Sequence, residues 1–288
     1  MSRINIADFE PGERLDKTLS NIFPEYSRAS VEKLIHTGQI TVNGMSVKTK
    51  HILKPTDVVT ADFGSLNRSP EPIDLPVIYE DEHVVVINKP TGVLAHAKGT
   101  FSSEGTVATW LKQHCDDAKS DFWHSNRAGI VHRLDRATSG VMIVAKDEET
   151  QRFLQKQFAN RKVKKMYLAV VSGELPESEG VIDIPIERNP KKPATFRAGV
   201  NGKPAQTEFS VLKTNSTLSL IELKPKTGRT HQLRVHLSYL KHPIVGDTFY
   251  GGTPANRLML HAQALEITLP GGLRKVFEAP QPEEFESL

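Results

Sequence analysis

The chain has 288 residues, and its 37 lysines and arginines against 34 aspartates and glutamates give a formal net charge of only +3, so charge alone does not identify a nucleic-acid-binding protein. A hydrophobic content of 38% is typical of a globular protein, and no apolar run reaches the roughly 18 residues of a membrane span. The single cysteine excludes an internal disulfide and a multi-cysteine metal site, which agrees with a reducing compartment. Together with the lack of a membrane span, this predicts a cytoplasmic protein without membrane contact.

The N-terminal part of the chain predicts two short helices. We expect the first to end before Pro24, and the second to have Ser27 or Ser30 as its N-cap and to stop at Gly38. The apolar residues that recur at helical spacing are Leu15, Leu19 and Ile22 in the first helix, and Val31, Leu34 and Ile35 in the second.

A turn and a linker follow these helices. Ile40 and Val42 alternate with polar residues up to Asn43-Gly44, a dipeptide typical of hairpin turns. Prolines then cluster with Gly, Ser and Asn without a hydrophobic period, which predicts a linker. The predicted boundaries are 12–62 for a small domain, 63–76 for the linker and 77–288 for a larger domain.

The small domain is basic. Between residues 14 and 54, seven basic side chains stand against three acidic ones, a balance that is also common on solvated surfaces. The segments RLDKTL, SRASVEKLIHTGQITVNG and KPTDVV, in this order, resemble the αL RNA-binding domain of the ribosomal-protein type. The resemblance implies a surface that contacts phosphates of structured RNA. Its candidate RNA-binding residues are Arg28, Lys33 and Lys48.

The larger domain mixes strands and helices without a regular alternation, which predicts an α+β fold with largely antiparallel sheets. A helix is expected between Asp147 and Asn160, with Asp147 as its N-cap, and another from near Thr230. Residues 129–131 are strand-like. Further strands are predicted at VVVI, VMIVA, MYLAVV, SLIEL and LEITL.

One carboxylate, Asp135, stands among basic neighbours in GIVHRLDRATSGVMIVAK. The turn at Thr138-Ser139-Gly140 is expected to place it at a sheet edge near a cleft. Nearby arginines favour the ionised carboxylate, which suits nucleophilic or base chemistry better than general-acid chemistry. On these residues alone, a structural ion pair that closes a loop remains the alternative.

The segment HRLDRATSG resembles the catalytic signature of the RluA-type pseudouridine synthases. Three other segments stand in the order of that family: VINKPTGVLAH, KMYLA and KPKTGRTHQLRVHLSYLKHPIVGDTFYGG. Together they span residues 78–270. The resemblance implies a pseudouridine synthase domain that acts on RNA, and it favours large-subunit ribosomal RNA over transfer RNA because this domain pairing is common in the family.

The resemblance also implies roles for individual residues. Asp135 aligns with the essential aspartate that attacks the target uridine, and attack on the sugar, attack on the base and stabilisation of a glycal-like intermediate all stay open. Tyr167 aligns with the tyrosine that stacks on the base, and assistance in removing the proton from C5 stays open as a further role. Arg234 aligns with the basic partner of the aspartate. Arg133 aligns with the arginine that enters the RNA helix where the uridine flips out. Further RNA-binding candidates in the matching segment are Arg229, His231 and Gln232.

These roles agree with the chemistry of base flipping. Extrusion of a base costs a few kcal/mol, and stacking on an aromatic ring returns about 1 to 3 kcal/mol. No redox step or phosphoryl transfer occurs, so we expect no cofactor and no metal. Nothing in the sequence demands more than a monomer.

Two other classes of protein stay open. The first is a non-catalytic RNA-binding or ribosome-assembly factor on the same fold. The second is a glycoside-type hydrolase, but that chemistry normally needs two carboxylates about the scissile bond, and only one can be placed here.

Overall fold

The computed structural model divides the chain into two compact units, which are described separately. None of the described helices is both long enough and apolar enough to cross a membrane. Residues 65 and 67–69 of the predicted linker lie outside the described residues. The domain boundaries 12–62, 63–76 and 77–288 remain predictions. The described residues are 3–6, 9–64, 66, 70–97, 104–115 and 121–285. The first unit comprises residues 1–73 and 96–109, and the second comprises residues 74–95 and 110–288.

The first unit packs two helices with a three-stranded antiparallel sheet of order β1-β3-β2. Both predicted helices are confirmed, and Ser27 is the N-cap of the second because its hydroxyl accepts a hydrogen bond from the backbone N–H of Ser30 at 3.2 Å. The elements are β1 (Arg3–Ile6), α1 (Leu15–Ile22), α2 (Arg28–His36), β2 (Ile40–Val42) and β3 (Val59–Asp62).

The turn at Asn43-Gly44 is confirmed, with φ angles of 51° and 77°, but the hairpin across it is limited to a single bridge. That bridge joins Val42 to Met45, whereas the ladder of β2, which includes the pair of Val42 with Val59, forms with β3. The reason is burial. Val59 and Ala61 of β3 are fully buried in the core, whereas Met45 is 68% exposed.

The remaining helices and strands begin at residue 77. They are β4 (Val77–Glu80), β5 (Val84–Lys89), α3 (Val107–His114), β6 (Ser139–Ala145), α4 (Glu148–Ala159), β7 (Lys164–Ser172), β8 (Glu179–Asp183), β9 (Ile186–Arg188), β10 (Phe196–Ala198), β11 (Gln206–Thr214), β12 (Leu218–Pro225), α5 (Gln232–Tyr239), β13 (Leu260–Thr268) and β14 (Arg274–Glu278).

Nine strands of the described second unit form one sheet of order β4-β5-β6-β13-β7-β12-β11-β8, with β14 beside β13. All of its pairs are antiparallel except β6 with β13, so the predicted α+β class with largely antiparallel pairing is confirmed. The predicted helix α4 is capped by Asp147, which accepts a hydrogen bond from the N–H of Thr150 at 2.8 Å. Leu154 of α4 packs in a core with Val141 and Ile143 of β6.

The strand-like segment 129–131 is not a strand. It contributes a single bridge, between Ile130 and Val144. β5 pairs with β6 along its whole length, and β13 takes the other edge of β6 only at Ser139 and Gly140, so Ile130 meets β6 at Val144 alone. The chain therefore leaves the sheet after Ile130 and forms the loop that carries Asp135.

Candidate active site

The loop of Asp135 is fixed at its C-terminal end by a close strand contact. The carbonyl of Asp135 accepts a hydrogen bond from the N–H of Thr138 at 3.1 Å. Gly140 follows with φ of 116°, and a Cβ there would lie 2.2 Å from the carbonyl oxygen of Ala262 in β13. Only glycine permits this approach, which brings the start of β6 against β13 and the loop to the end of the sheet.

A buried ammonium group holds the other side of the loop. Lys89, at the end of β5, is fully buried and donates to the carbonyls of Pro90 at 2.9 Å, Val93 at 2.8 Å and Arg136 at 3.4 Å. Burial lowers the pKa of Lys89 to about 8, while the charge of Asp135 opposes this shift. The N-K-P segment is thus fastened to the aspartate loop, a role that the sequence did not reveal.

Arg234 connects Asp135 to a second, fully buried carboxylate. Its Nη1 lies 3.5 Å from Oδ2 of Asp135, while Nε and Nη2 donate to the two carboxylate oxygens of Asp247 at 2.7 and 2.8 Å. Burial acts to lower the pKa of Arg234, but the hydrogen bonds and charge of Asp247 outweigh it and raise the pKa. The guanidinium therefore stays charged, and its bidentate pairing fixes the direction of Nη1.

A cavity of about 450 Å³ opens in front of Asp135, a size within the range of small-molecule sites. Tyr167 of β7 lines it, and burial together with the charge of Asp135 raises the pKa of the phenol well above its usual value. The hydroxyl of Tyr167 is therefore protonated at neutral pH. The lining also includes His132, Arg133, Leu134, Asp135, Phe158 and Lys165, and the segment 225–234.

His132 and Lys165 carry a positive charge less readily than histidine and lysine side chains usually do, because the pKa values of both are lowered. His132 accepts a hydrogen bond from the N–H of Ile143 at 3.1 Å and stacks on Phe158 with ring centroids 4.5 Å apart. Burial lowers the pKa of His132 to about 3, so the ring is neutral. Burial also lowers the pKa of Lys165 to about 8, and its ammonium donates to the carbonyl of Thr227 at 3.2 Å.

The other predicted RNA-binding residues of the second unit lie in different surroundings. Arg133 is exposed at the cavity. Arg229 is half-buried, and its Nε donates to the carbonyl of Pro204 at 3.0 Å. His231 faces Asp135, with Nε2 3.8 Å from Oδ2, and thus lies against the carboxylate.

Gln232 is a correction to the predicted set. Its amide oxygen accepts from the hydroxyl of Thr227 at 2.7 Å and the N–H of Arg229 at 3.0 Å. Its amide nitrogen donates to the carbonyl of Gln206 at 2.9 Å and the hydroxyl of Thr207 at 3.0 Å. All four bonds that an amide side chain makes are used within the protein, so Gln232 holds the loop and has no atom left for RNA.

The three candidates of the first unit lie on its surface. Lys33 and Lys48 are exposed. Arg28 is half exposed and donates to the carboxylate of Asp16 at 2.7 and 2.9 Å, and Arg14 binds the same carboxylate at 2.8 Å. Both arginines are thereby held against Asp16 of α1.

A carboxylate facing a cavity of this size, with cationic side chains at its rim, agrees with an enzyme that acts on an extruded nucleotide. The model of the RNA pseudouridylate synthase family matches residues 83–239, and that of the S4 domain matches residues 13–59. The chain belongs to the RNA pseudouridylate synthase family and is an isomerase that acts on RNA.

Individual proteins are similar over most of the chain. A Bacillus subtilis protein named as an uncharacterized RNA pseudouridine synthase is 37% identical over 300 residues, which cover 100% of this chain and 97% of the relative. The ribosomal large subunit pseudouridine synthase D of Xylella fastidiosa is 37% identical over 97% of this chain and 88% of its own length. The solved structure of human RNA pseudouridylate synthase domain containing 1 has a TM-score of 0.60 at 31% identity, covering 74% of this chain and 86% of that chain.

Proposed function

We propose that this enzyme converts specific uridines of large-subunit ribosomal RNA to pseudouridine, with Asp135 as the catalytic carboxylate. The substrate proposal is supported by relatives named ribosomal large subunit pseudouridine synthase D, which are similar over nearly the whole chain. The catalytic assignment rests on one observation above all. Arg234, itself held by Asp247, lies 3.5 Å from Asp135 at the cavity.

The reaction needs one negative group at the sugar or base and no net proton uptake. Asp135 forms a transient bond to the flipped uridine, and the bond between C1′ and N1 breaks. The base then rotates and bonds to C1′ through C5, and the bond to Asp135 breaks so that the free carboxylate is regenerated. C5 loses its proton, and N1 gains one. Arg234 neutralises the carboxylate before and after the attack, and its buried position makes this interaction stronger than in water.

Tyr167 forms the wall against which the extruded base stacks. Because the pKa of Tyr167 is raised, its hydroxyl is protonated in the resting enzyme and is a poor base. Tyr167 therefore acts through the stacking of its ring and not as a phenolate. Arg133, exposed beside the cavity, fills the space that the uridine leaves in the RNA helix.

The S4 domain adds affinity through a second attachment to the same RNA. Lys33 and Lys48 supply phosphate contacts, since their ammonium groups are exposed. We further propose that the protein works as a monomer in the cytoplasm. One chain contributes all of the groups that this mechanism uses.

The test is a map of pseudouridines in total RNA from cells with and without the protein. We expect one or more large-subunit sites to be lost and to return with the wild-type protein but not with Asp135→Asn. Loss confined to transfer RNA would support the alternative substrate. The non-catalytic RNA-binding factor would be supported instead if the pseudouridine map does not change and if Asp135→Asn corrects a defect of the cells that lack the protein.

A further inference from the structure

Two side chains from the same loop and helix approach one oxygen of Asp135. Nη1 of Arg234 lies 3.5 Å from Oδ2, and Nε2 of His231 lies 3.8 Å from the same atom. Among the residues that the structure describes, none donates a hydrogen bond to Oδ1. Contacts of this length in a substrate-free site commonly shorten when the substrate binds. The carboxylate thus has one held oxygen and one that is left for the uridine.

The ring of His231 is fixed from several directions. The residue is the N-cap of α5 with φ of 56°, a left-handed conformation that is uncommon outside glycine and is kept where the surroundings impose it. The ring packs edge-on against Phe196 and Tyr250, with centroids 5.6 Å away in each case. Its Nδ1 lies 2.7 Å from the hydroxyl of Tyr250. Rotation of the imidazole would break these contacts.

The hydrogen-bond pattern also determines which ring nitrogen carries the proton. The hydroxyl oxygen of Tyr250 accepts the backbone N–H of Phe196 at 2.9 Å. We therefore assign the hydroxyl hydrogen to the bond with Nδ1 of His231 and the ring hydrogen to Nε2, which faces Asp135.

The charges around His231 favour the neutral ring. Burial lowers the pKa of His231, and Arg234 and Arg133 act in the same direction, while Asp135 and Asp247 oppose them. The neutral imidazole offers one N–H to the carboxylate without adding a second cation to the one that Arg234 supplies.

We propose that His231 is a positioning residue which, oriented by Tyr250, holds Oδ2 of Asp135 together with Arg234 and so presents Oδ1 to the uridine. This role differs from the RNA contact that the sequence predicted for His231. It rests on the proposed function of Asp135.

The experiment compares single-turnover rates on a saturating RNA substrate, RNA dissociation constants and pH–rate profiles for three variants. His231→Phe keeps the aromatic packing and removes the N–H, and we expect a rate loss of about 10- to 100-fold, because a reacting group that is misplaced by about 1 Å loses rate on this scale. RNA affinity should stay within about threefold. His231→Gln retains an N–H donor and should recover part of that loss. Tyr250→Phe should shift the acidic limb of the profile to higher pH, because Nδ1 without a donor is more easily protonated.

Tyr239→Phe is the matched control. Tyr239 lies at the other end of α5 and is 55% exposed, so removal of its hydroxyl should change neither rate nor profile. Thermal melting of each variant separates loss of folding from loss of positioning. Tyr250→Phe, which removes one atom, keeps the test possible if His231→Phe does not fold.

Three results would overturn the proposal. One is an unchanged rate and profile in both His231→Phe and Tyr250→Phe. The second is a loss in His231→Phe that is confined to RNA affinity and vanishes at saturation, which would restore the RNA-contact role. The third is an unshifted acidic limb in Tyr250→Phe. Asp135→Asn, measured in parallel, separates failure of the His231 proposal from failure of the proposed function. An active Asp135→Asn would contradict the catalytic assignment of Asp135 itself.

Discussion

Asp247 binds Arg234 through both carboxylate oxygens, at 2.7 and 2.8 Å, and thereby leaves one guanidinium nitrogen directed at Asp135. The two acids share one cation, but Asp247 is 1% exposed and has the shorter contacts. The buried pair is therefore the anchor, and the contact with Asp135 is the part that changes during reaction.

Removal of Asp247, which anchors Arg234, should lower both the stability of the protein and the rate of the reaction. Asp247→Ala leaves a buried guanidinium without its partner, and we expect the free energy of unfolding to fall by about 3 to 5 kcal/mol. Urea unfolding measures the change. The control is Glu148→Ala, which breaks an exposed ion pair with Arg152 and should cost less than about 1 kcal/mol. Equal losses in both variants would contradict the anchor role.

Tyr167→Phe should retain most of the activity, whereas Tyr167→Leu should not. The ring provides the stacking surface, worth about 1 to 3 kcal/mol, and the raised pKa keeps the hydroxyl protonated. Single-turnover rates at saturating RNA measure both variants. The wild-type rate should also show no increase from Tyr167 ionisation between pH 7 and 9, because a raised pKa places that ionisation at higher pH. A severe loss in Tyr167→Phe would assign the chemistry to the hydroxyl.

Asp16 should make the first unit sensitive to acid. Burial opposes ionisation of this carboxyl, but hydrogen bonds from Arg14 and Arg28 outweigh it and lower its pKa from 3.8 to about 2. Because the folded-state pKa is the lower one, the stabilisation is present above the ordinary value and is lost as the pH falls through about 2. It amounts to about 2 kcal/mol.

Hydrogen exchange of the α1 and α2 amides tests this prediction in wild type and Asp16→Asn. The variant should be less protected near neutral pH, and the difference should shrink as the pH approaches 2. A difference that is constant across this range would show that the ionisation of Asp16 does not contribute.

Lys33→Ala and Lys48→Ala should weaken RNA binding without slowing the chemical step. Each lost phosphate contact should reduce the slope of log affinity against log salt by about 1. Filter binding at several salt concentrations measures the slope, and single-turnover kinetics measure the rate. Lys213→Ala, an exposed lysine of β11, is the control. An unchanged slope in both variants would remove the RNA-contact role from this surface of the S4 domain.

The sequence predicted the parts of the site that recur as ordered motifs. The pairing of Asp135 with Arg234 is an example, although these residues are 99 positions apart. Local signals also succeeded where the interaction itself is local, as with Ser27 and Asp147 at helix N-caps.

The sequence was less informative where burial or distant pairing decides the outcome. The ladder of β2 with β3 and the saturated amide of Gln232 depend on partners that no local pattern specifies. His132 is a basic residue by composition, yet burial makes it neutral. Asp247 lies in a segment that resembles the family, but its role follows only from the fold that brings it to Arg234.

The most direct test of the account is product formation by Asp135→Asn on an RNA that the wild-type enzyme modifies. The variant is close in shape to the wild type and removes only the negative charge. We expect RNA affinity within a few-fold of the wild type and no pseudouridine detectable by mass spectrometry. Pseudouridine formed by the variant at a rate near that of the wild type would contradict the central claim.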